Sequence, residues 1–158
     1  MALQYIAQGG AKSAIGYDSA TGEFGFLCKM VNKTGAPTVK GTIVRAGTAI
    51  DNSFIVTPTD SDEPIGVIQE AGIADDSAAW IWMCGSIAQV LLQDSTASTR
   101  GYWVRTSTTA AGRANATSAD PPGGGVPELM QHMCEIGHCL ESKTAGTAVL
   151  ALVILHFN

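Results

Sequence analysis

Charge is scarce in this sequence. Asp, Glu, Lys and Arg make up 15% of its 158 residues, against about a quarter in an average soluble protein. What charge there is has no basic excess: 9 Lys and Arg face 14 Asp and Glu, for a formal net charge of −5. A protein that grips a nucleic-acid duplex needs a basic face to displace counterions from phosphates, so that class is disfavoured. Long apolar runs are missing too. The unbroken run 148–155 falls far short of the about 20 residues that span a bilayer, so no membrane partner is expected. The first ten residues hold neither a basic segment nor a long apolar one, so no secretion signal is expected and synthesis in a cytoplasm is. The four cysteines, Cys28, Cys84, Cys134 and Cys139, match no disulfide framework. Reduced, buried thiols acting as small hydrophobes are the expectation.

Catalytic motifs are also lacking. There is no Gly-x-Ser-x-Gly elbow, and Cys84-Gly85-Ser86 has no histidine near it in sequence. Gly9-Gly10-Ala11-Lys12-Ser13 resembles a fragment of a phosphate cradle but lacks the first glycine at the right spacing. Asp60, Asp62 and Glu63 lack the glycine and distal glutamate of a calcium loop, so a solvated turn is expected there. Asp75 and Asp76 read as turn residues. An enzyme would need a polar pocket at a subunit junction, for which Asp60, Asp62, Asp75 and Asp76 are the candidate lining. No base–nucleophile pair is visible, so neither an enzyme nor a cofactor is expected.

Apolar residues are ordinary in amount at 46%, which excludes a disordered chain. Gly, Ala and Thr stand where surface charge would be, a composition suited to burial against other subunits. Helical periodicity is nearly absent. Strand-like runs recur at 25–32, 41–46, 54–57, 65–70, 79–84, 87–92, 102–106, 112–116, 134–140 and 147–157, between clusters of Gly, Pro, Asp and Ser. The expected fold is all-β, an antiparallel barrel or sandwich. Trp80, Trp82 and Cys84 fall on one face of their strand, with Ile81 and Met83 on the other. An interior on one side and a neighbouring subunit on the other would cover both. A short helix is suggested at 127–133 by Pro127 and Glu128, after a loop containing Pro121-Pro122-Gly123-Gly124-Gly125.

A weak internal repeat organises the chain. Gly41-Thr-Ile-Val44-Arg45 is echoed by Gly101-Tyr-Trp-Val104-Arg105, and Ile65-Gly66 by Ile136-Gly137. Each copy runs on into a long apolar strand. The expected units are three-stranded repeats at 41–92 and 101–157, packed with pseudo-twofold symmetry inside one β domain, 25–158. Residues 1–24 have sparse apolar anchors and are expected to form an N-terminal arm, frayed or ordered on a partner.

The densest group of metal-ligand residue types is His132-Met133-Cys134-Glu135-Ile136-Gly137-His138-Cys139. As a strand it would put His132, Cys134 and His138 on one face and Cys139 on the other. Ordinary zinc spacing is absent, so packing is expected and no metal. Trp80, Trp82, Tyr102 and Trp103 would serve as a sugar-stacking platform if exposed, but as core residues if buried.

The segment Asn32-Lys-Thr-Gly-Ala-Pro-Thr-Val-Lys-Gly-Thr-Ile-Val44, then Ile65-Gly-Val-Ile and Gly85-Ser-Ile-Ala-Gln-Val90, resembles small structural proteins of tailed bacteriophages. So does the ending from Ile136 to Asn158. The chain is similar over roughly 30–158 to capsid decoration (cement) proteins and related head-fibre bases. The resemblance implies a β-rich homotrimer on the capsid exterior that clamps adjacent subunits of the major capsid protein. On that reading Leu3, Tyr5 and Ile6 would anchor the arm on the capsid, and Val149, Leu152 and Ile154 would line the trimer interface. His138 and Cys139 depart from the small aliphatic residues expected after Ile-Gly. A head-fibre base or carbohydrate-binding module facing the host is the alternative.

Overall fold

The computed structural model describes residues 4–6, 12–118 and 132–157. The described strands are β1 (Gln4–Ile6), β2 (Ser13–Asp18), β3 (Glu23–Asn32), β4 (Ile43–Ala46), β5 (Ser53–Val56), β6 (Gly66–Ile68), β7 (Ala78–Trp82), β8 (Ile87–Leu91), β9 (Trp103–Thr106), β10 (Ala114–Thr117), β11 (Glu135–Cys139) and β12 (Leu150–Leu155). The fold is all-β, and each run of strand-like sequence forms a strand. His132 and Met133 are helical, while the rest of the expected helix and the Pro-Gly loop lie outside the described residues.

The strands pair in the order β10-β9-β11-β12-β8-β3-β5-β4-β6-β7, and β7 returns to pair with β3. That return closes a five-stranded ring, β3-β5-β4-β6-β7. Its β3–β5 contact is parallel, joining Asn32 to Phe54, and its other contacts are antiparallel. The second half repeats this design with β8-β10-β9-β11-β12, where a parallel bridge from Leu92 to Ala114 closes the ring.

The repetition holds residue by residue. Val44 faces Val56 and Gly66, and its counterpart Val104 faces Ala116 and Gly137. Leu27 faces Trp82 as Ile87 faces Ile154. Thr38 Oγ1 donates to the Glu70 carbonyl at 2.8 Å and Ser98 Oγ to the Glu141 carbonyl at 3.1 Å. The duplication is therefore physical. Its unit, however, is five strands rather than three. β8 opens the second unit instead of ending the first, because it pairs along its length with β12.

Each ring encloses the same six positions. Met30, Val44, Phe54, Ile68, Ala79 and Ile81 fill the first, and Val90, Val104, Ala114, Cys139, Ala151 and Val153 the second, all buried. Such packing is the main source of stability for a chain with so few charged residues. The outer faces of the rings differ. Leu27, Ile43, Val67 and Trp82, on the outside of the first ring, are buried, whereas Ile154, the counterpart of Trp82, is exposed. This departs from an even pseudo-twofold.

The reason lies in β2. It pairs with β3 over six residues, Ser13 with Cys28 through Asp18 with Glu23, and lays Ala14 and Gly16 over the first ring. A Cβ on Gly16 would sit 2.5 Å from Leu27 Cδ1 and 2.9 Å from Trp82 Cη2. Only glycine lets the strand approach so closely. Residues 13–24 thus belong to the sheet rather than to a separate arm, and the expected boundary at 24/25 falls inside β3. Both faces of β7 are covered within the chain, Ile81 by the first ring's interior and Trp82 by β2 and the second ring's cluster. A neighbouring subunit is not needed there.

Candidate functional site

The two strands of the β2–β3 hairpin are amphipathic the wrong way round. On β2 the buried positions are Ala14 and Gly16 and the exposed ones include Ile15 and Tyr17; on β3, Glu23 and Gly25 are buried while Phe24 and Phe26 are exposed. Side chains alternate between faces along a strand, so the large residues share the solvent side. Register pairs Ile15 with Phe26 and Tyr17 with Phe24. The Tyr17 and Phe24 rings meet edge to face, centroids 6.5 Å apart. Their exposures are 41% for Ile15, 49% for Tyr17, 51% for Phe24 and 56% for Phe26. Single exposed apolar residues are ordinary, but a contiguous aromatic cluster marks a binding surface. β1 extends this sheet, with Tyr5 opposite Gly16 and Ile6 opposite Ile15. Among the expected arm anchors, Tyr5 and Ile6 are thus in the sheet by backbone pairing, and Leu3 lies outside the described residues.

The inward face of the hairpin is held by an unusual group. Glu23 is fully buried. Its Oε1 accepts from Trp82 Nε1 at 3.0 Å and from the Gln89 amide at 3.1 Å. Its Oε2 accepts from Thr21 Oγ1 at 2.9 Å and pairs with Lys40 Nζ at 2.5 Å. Trp82 belongs to the first ring and Gln89 to the second, so this carboxylate joins hairpin, loop and both rings. A buried charge is tolerated when paired and fully hydrogen-bonded, as here.

A second surface lies on the outside of the second ring. Ile154 and Leu140 are exposed there and Leu152 is half-buried; Val149, just before β12, is half-buried and packs on the core. Leu152 and Ile154 share the outward side of β12, alternating with buried Ala151, Val153 and Leu155. The same region carries Glu135, His138 and His156. Cys134 is buried and its thiol approaches the Asp60 carbonyl at 3.5 Å, while Cys139 points into the ring on the face opposite His138. His156 escaped the sequence reading, since only the β11–β12 register, Gly137 to Leu155 and His138 to Ile154, brings it beside His138.

Other candidates fall away. Trp82 and Trp103 are buried, and Trp80 is half-buried with Lys29 Nζ 5.5 Å from its ring centroid. They form no open stacking platform. Asp60 pairs with Arg105 and Asp76 with Lys33, and Asp75 accepts from the Gly35 amide at 2.9 Å. A cavity of about 400 Å³, lined among the described residues by Arg45, Ala46, Thr48, Glu63, Pro64 and Ile65, holds the Arg45–Glu63 ion pair.

The thiols divide by environment. Burial pushes the Cys139 thiol up to about 11, and burial also raises that of Cys134; Cys84 is exposed and Cys28 half-buried. The thiolate is the reactive form. With a disulfide reagent at neutral pH, Cys84 is expected to react first and Cys134 and Cys139 only as the protein unfolds. Rapid labelling of Cys139 in the native protein would contradict this burial.

Comparison with known proteins finds no protein family that matches the chain and no matching curated protein.

Proposed function

We propose that this protein is a structural component of a tailed-phage virion, a homotrimer that docks on the outside of the assembled capsid and clamps neighbouring major capsid subunits. The inverted hairpin carries this reading: four large apolar side chains are held outward, while the inward positions alternating with them are Ala14, Gly16, Gly25 and the buried Glu23. A face so built is suited to a partner surface. The scarcity of charge fits too, because interface cores are depleted of charged residues. A ligand that binds only the assembled shell stabilises it by mass action, which is what a cement must do against the pressure of packaged DNA. The outward side of β12, with Leu152 and Ile154, is the proposed subunit interface. Burial of Trp82 and Trp103 weighs against a tryptophan-based carbohydrate site, the alternative for a host-facing module.

The test is co-sedimentation with expanded and unexpanded shells. Wild type is expected to pellet with expanded shells and to raise their heat stability. A Phe24→Ser/Phe26→Ser double variant is expected to bind at least about tenfold more weakly, since burying each ring is worth about 1.5–3 kcal/mol. Its own melting midpoint should stay within a few degrees of wild type, both side chains being half exposed already. Binding to neither shell would remove the proposal. A native mass of one chain at micromolar concentration would remove its trimeric part.

A further inference from the structure

The chain has three histidines, and all three converge on one carboxylate. His138 Nε2 lies 3.4 Å and His156 Nε2 3.3 Å from Glu135 Oε1, and His132 Nδ1 lies 3.6 Å from Glu135 Oε2. They come from three places: the helical residues before β11, β11 itself, and the residue after β12. Glu135 is 5% exposed, whereas its three partners reach solvent. In a regular strand Glu135 and His138 would point to opposite faces. A register shift between Glu135 and Gly137 against β9 brings both to the same side, the re-aiming that bulges perform near sites.

We propose that Glu135, His138 and His156 form a binding site for a divalent transition metal of the zinc class. Their ligand atoms all lie within 4.8 Å of one another. The closest distances, 3.3 and 3.4 Å, are long for charge-assisted hydrogen bonds, which fall at about 2.7–2.9 Å. They match the edge of a zinc tetrahedron, about 3.3–3.4 Å when Zn–N and Zn–O are about 2.0–2.1 Å. Two imidazoles with one carboxylate suit zinc, whereas calcium and magnesium prefer oxygen ligands throughout. The His138 and His156 rings stand 5.0 Å apart, tilted by 40°, and both present Nε2 to the same oxygen, Glu135 Oε1. His132 sits on the other carboxylate oxygen, its ring edge to face with Trp103 at 5.7 Å. It is a positioning residue that orients Glu135, as partners behind metal ligands commonly do. Water completes the coordination. The bound metal would tie β11 to the end of β12.

This inference does not rest on the virion reading, because all three ligands come from one chain. Its test uses the full-length protein after dialysis against EDTA, titrated calorimetrically with Zn²⁺ and separately with Mg²⁺. One Zn²⁺ per chain at micromolar affinity or tighter is expected, with no Mg²⁺ binding. At a free Zn²⁺ concentration about 100 times the dissociation constant, the melting midpoint should rise by about 5–10 °C. His138→Ala and His156→Ala should each weaken binding at least about tenfold, and His132→Ala less. Their metal-free midpoints serve as the check on folding. Co²⁺ loaded on wild type provides a readout independent of any variant: a visible spectrum without thiolate charge transfer is expected. Absence of Zn²⁺ binding, unchanged affinity in both histidine variants, or a cobalt–thiolate band would each overturn the assignment.

Discussion

Glu23→Ala is expected to destabilise the protein by about 3–5 kcal/mol, the range for breaking a buried charged network by removing one partner. The substitution leaves the Trp82 indole N–H and the Gln89 amide without the acceptor that they share, and Lys40 without its counter-ion. It also removes a side chain that joins the hairpin, the Lys40 loop and both rings. Set against a total stability of about 5–15 kcal/mol for an ordinary domain, the loss puts the variant near the unfolding threshold. Glu23→Gln keeps an oxygen for the indole and the amide and gives up only the charge. Lys40 is partly exposed and can turn to water. That variant should lose about 1–2 kcal/mol, the scale of one or two weakened hydrogen bonds. Urea unfolding followed by tryptophan fluorescence distinguishes the two. If both variants unfold at the wild-type midpoint, the carboxylate is not the junction described.

The sequence revealed ten strands because their large residues point inward, so apolar runs and turns alternate as the fold requires. It concealed β2, and obscured where β3 begins, for the opposite reason. There the inward positions are Ala14, Gly16, Glu23 and Gly25, and the large residues point out. Glycine and small residues then look like a frayed terminus, although Gly16 is required by Trp82. The repeat was legible through Gly41 and Gly101, which share a left-handed backbone with φ of 82° and 84°, and through the Val-Arg that follows each. Its first strand was not. Only Gly25 and Gly85 and a few aliphatic positions survive between β3 and β8, because β3 also serves the hairpin and β8 does not. The histidine group was half legible. His132 and His138 stand out in sequence, but His156 meets them only through strand pairing, and the bulge that turns Glu135 toward them leaves no mark beyond a glycine.

Gly137→Ala is the second substitution expected to cost most, and the duplication supplies its control. A Cβ at Gly137 would sit 2.0 Å from the Ile154 carbonyl oxygen, and the residue's φ is 151°, so contact and backbone conformation both oppose a side chain. At the equivalent Gly66 a Cβ would sit 2.6 Å from the Trp82 carbonyl oxygen, with φ outside the left-handed region. Both glycines exist because strands β6 and β11 cross their neighbours β7 and β12 at the same close approach. The first substitution combines backbone strain of about 1–3 kcal/mol with steric displacement of about 1–3 kcal/mol, for an expected loss of about 3–5 kcal/mol. Gly66→Ala bears the second effect alone and should lose about 1–3 kcal/mol. Denaturant midpoints measure the pair, and amide exchange at Leu140 and His156, which donate across this pairing to the Leu152 and Ile136 carbonyls, reports whether β11 and β12 have parted. Equal losses at the two sites would mean that the unusual φ at Gly137 carries no strain. A neutral Gly137→Ala would mean that β11 does not approach β12 so closely.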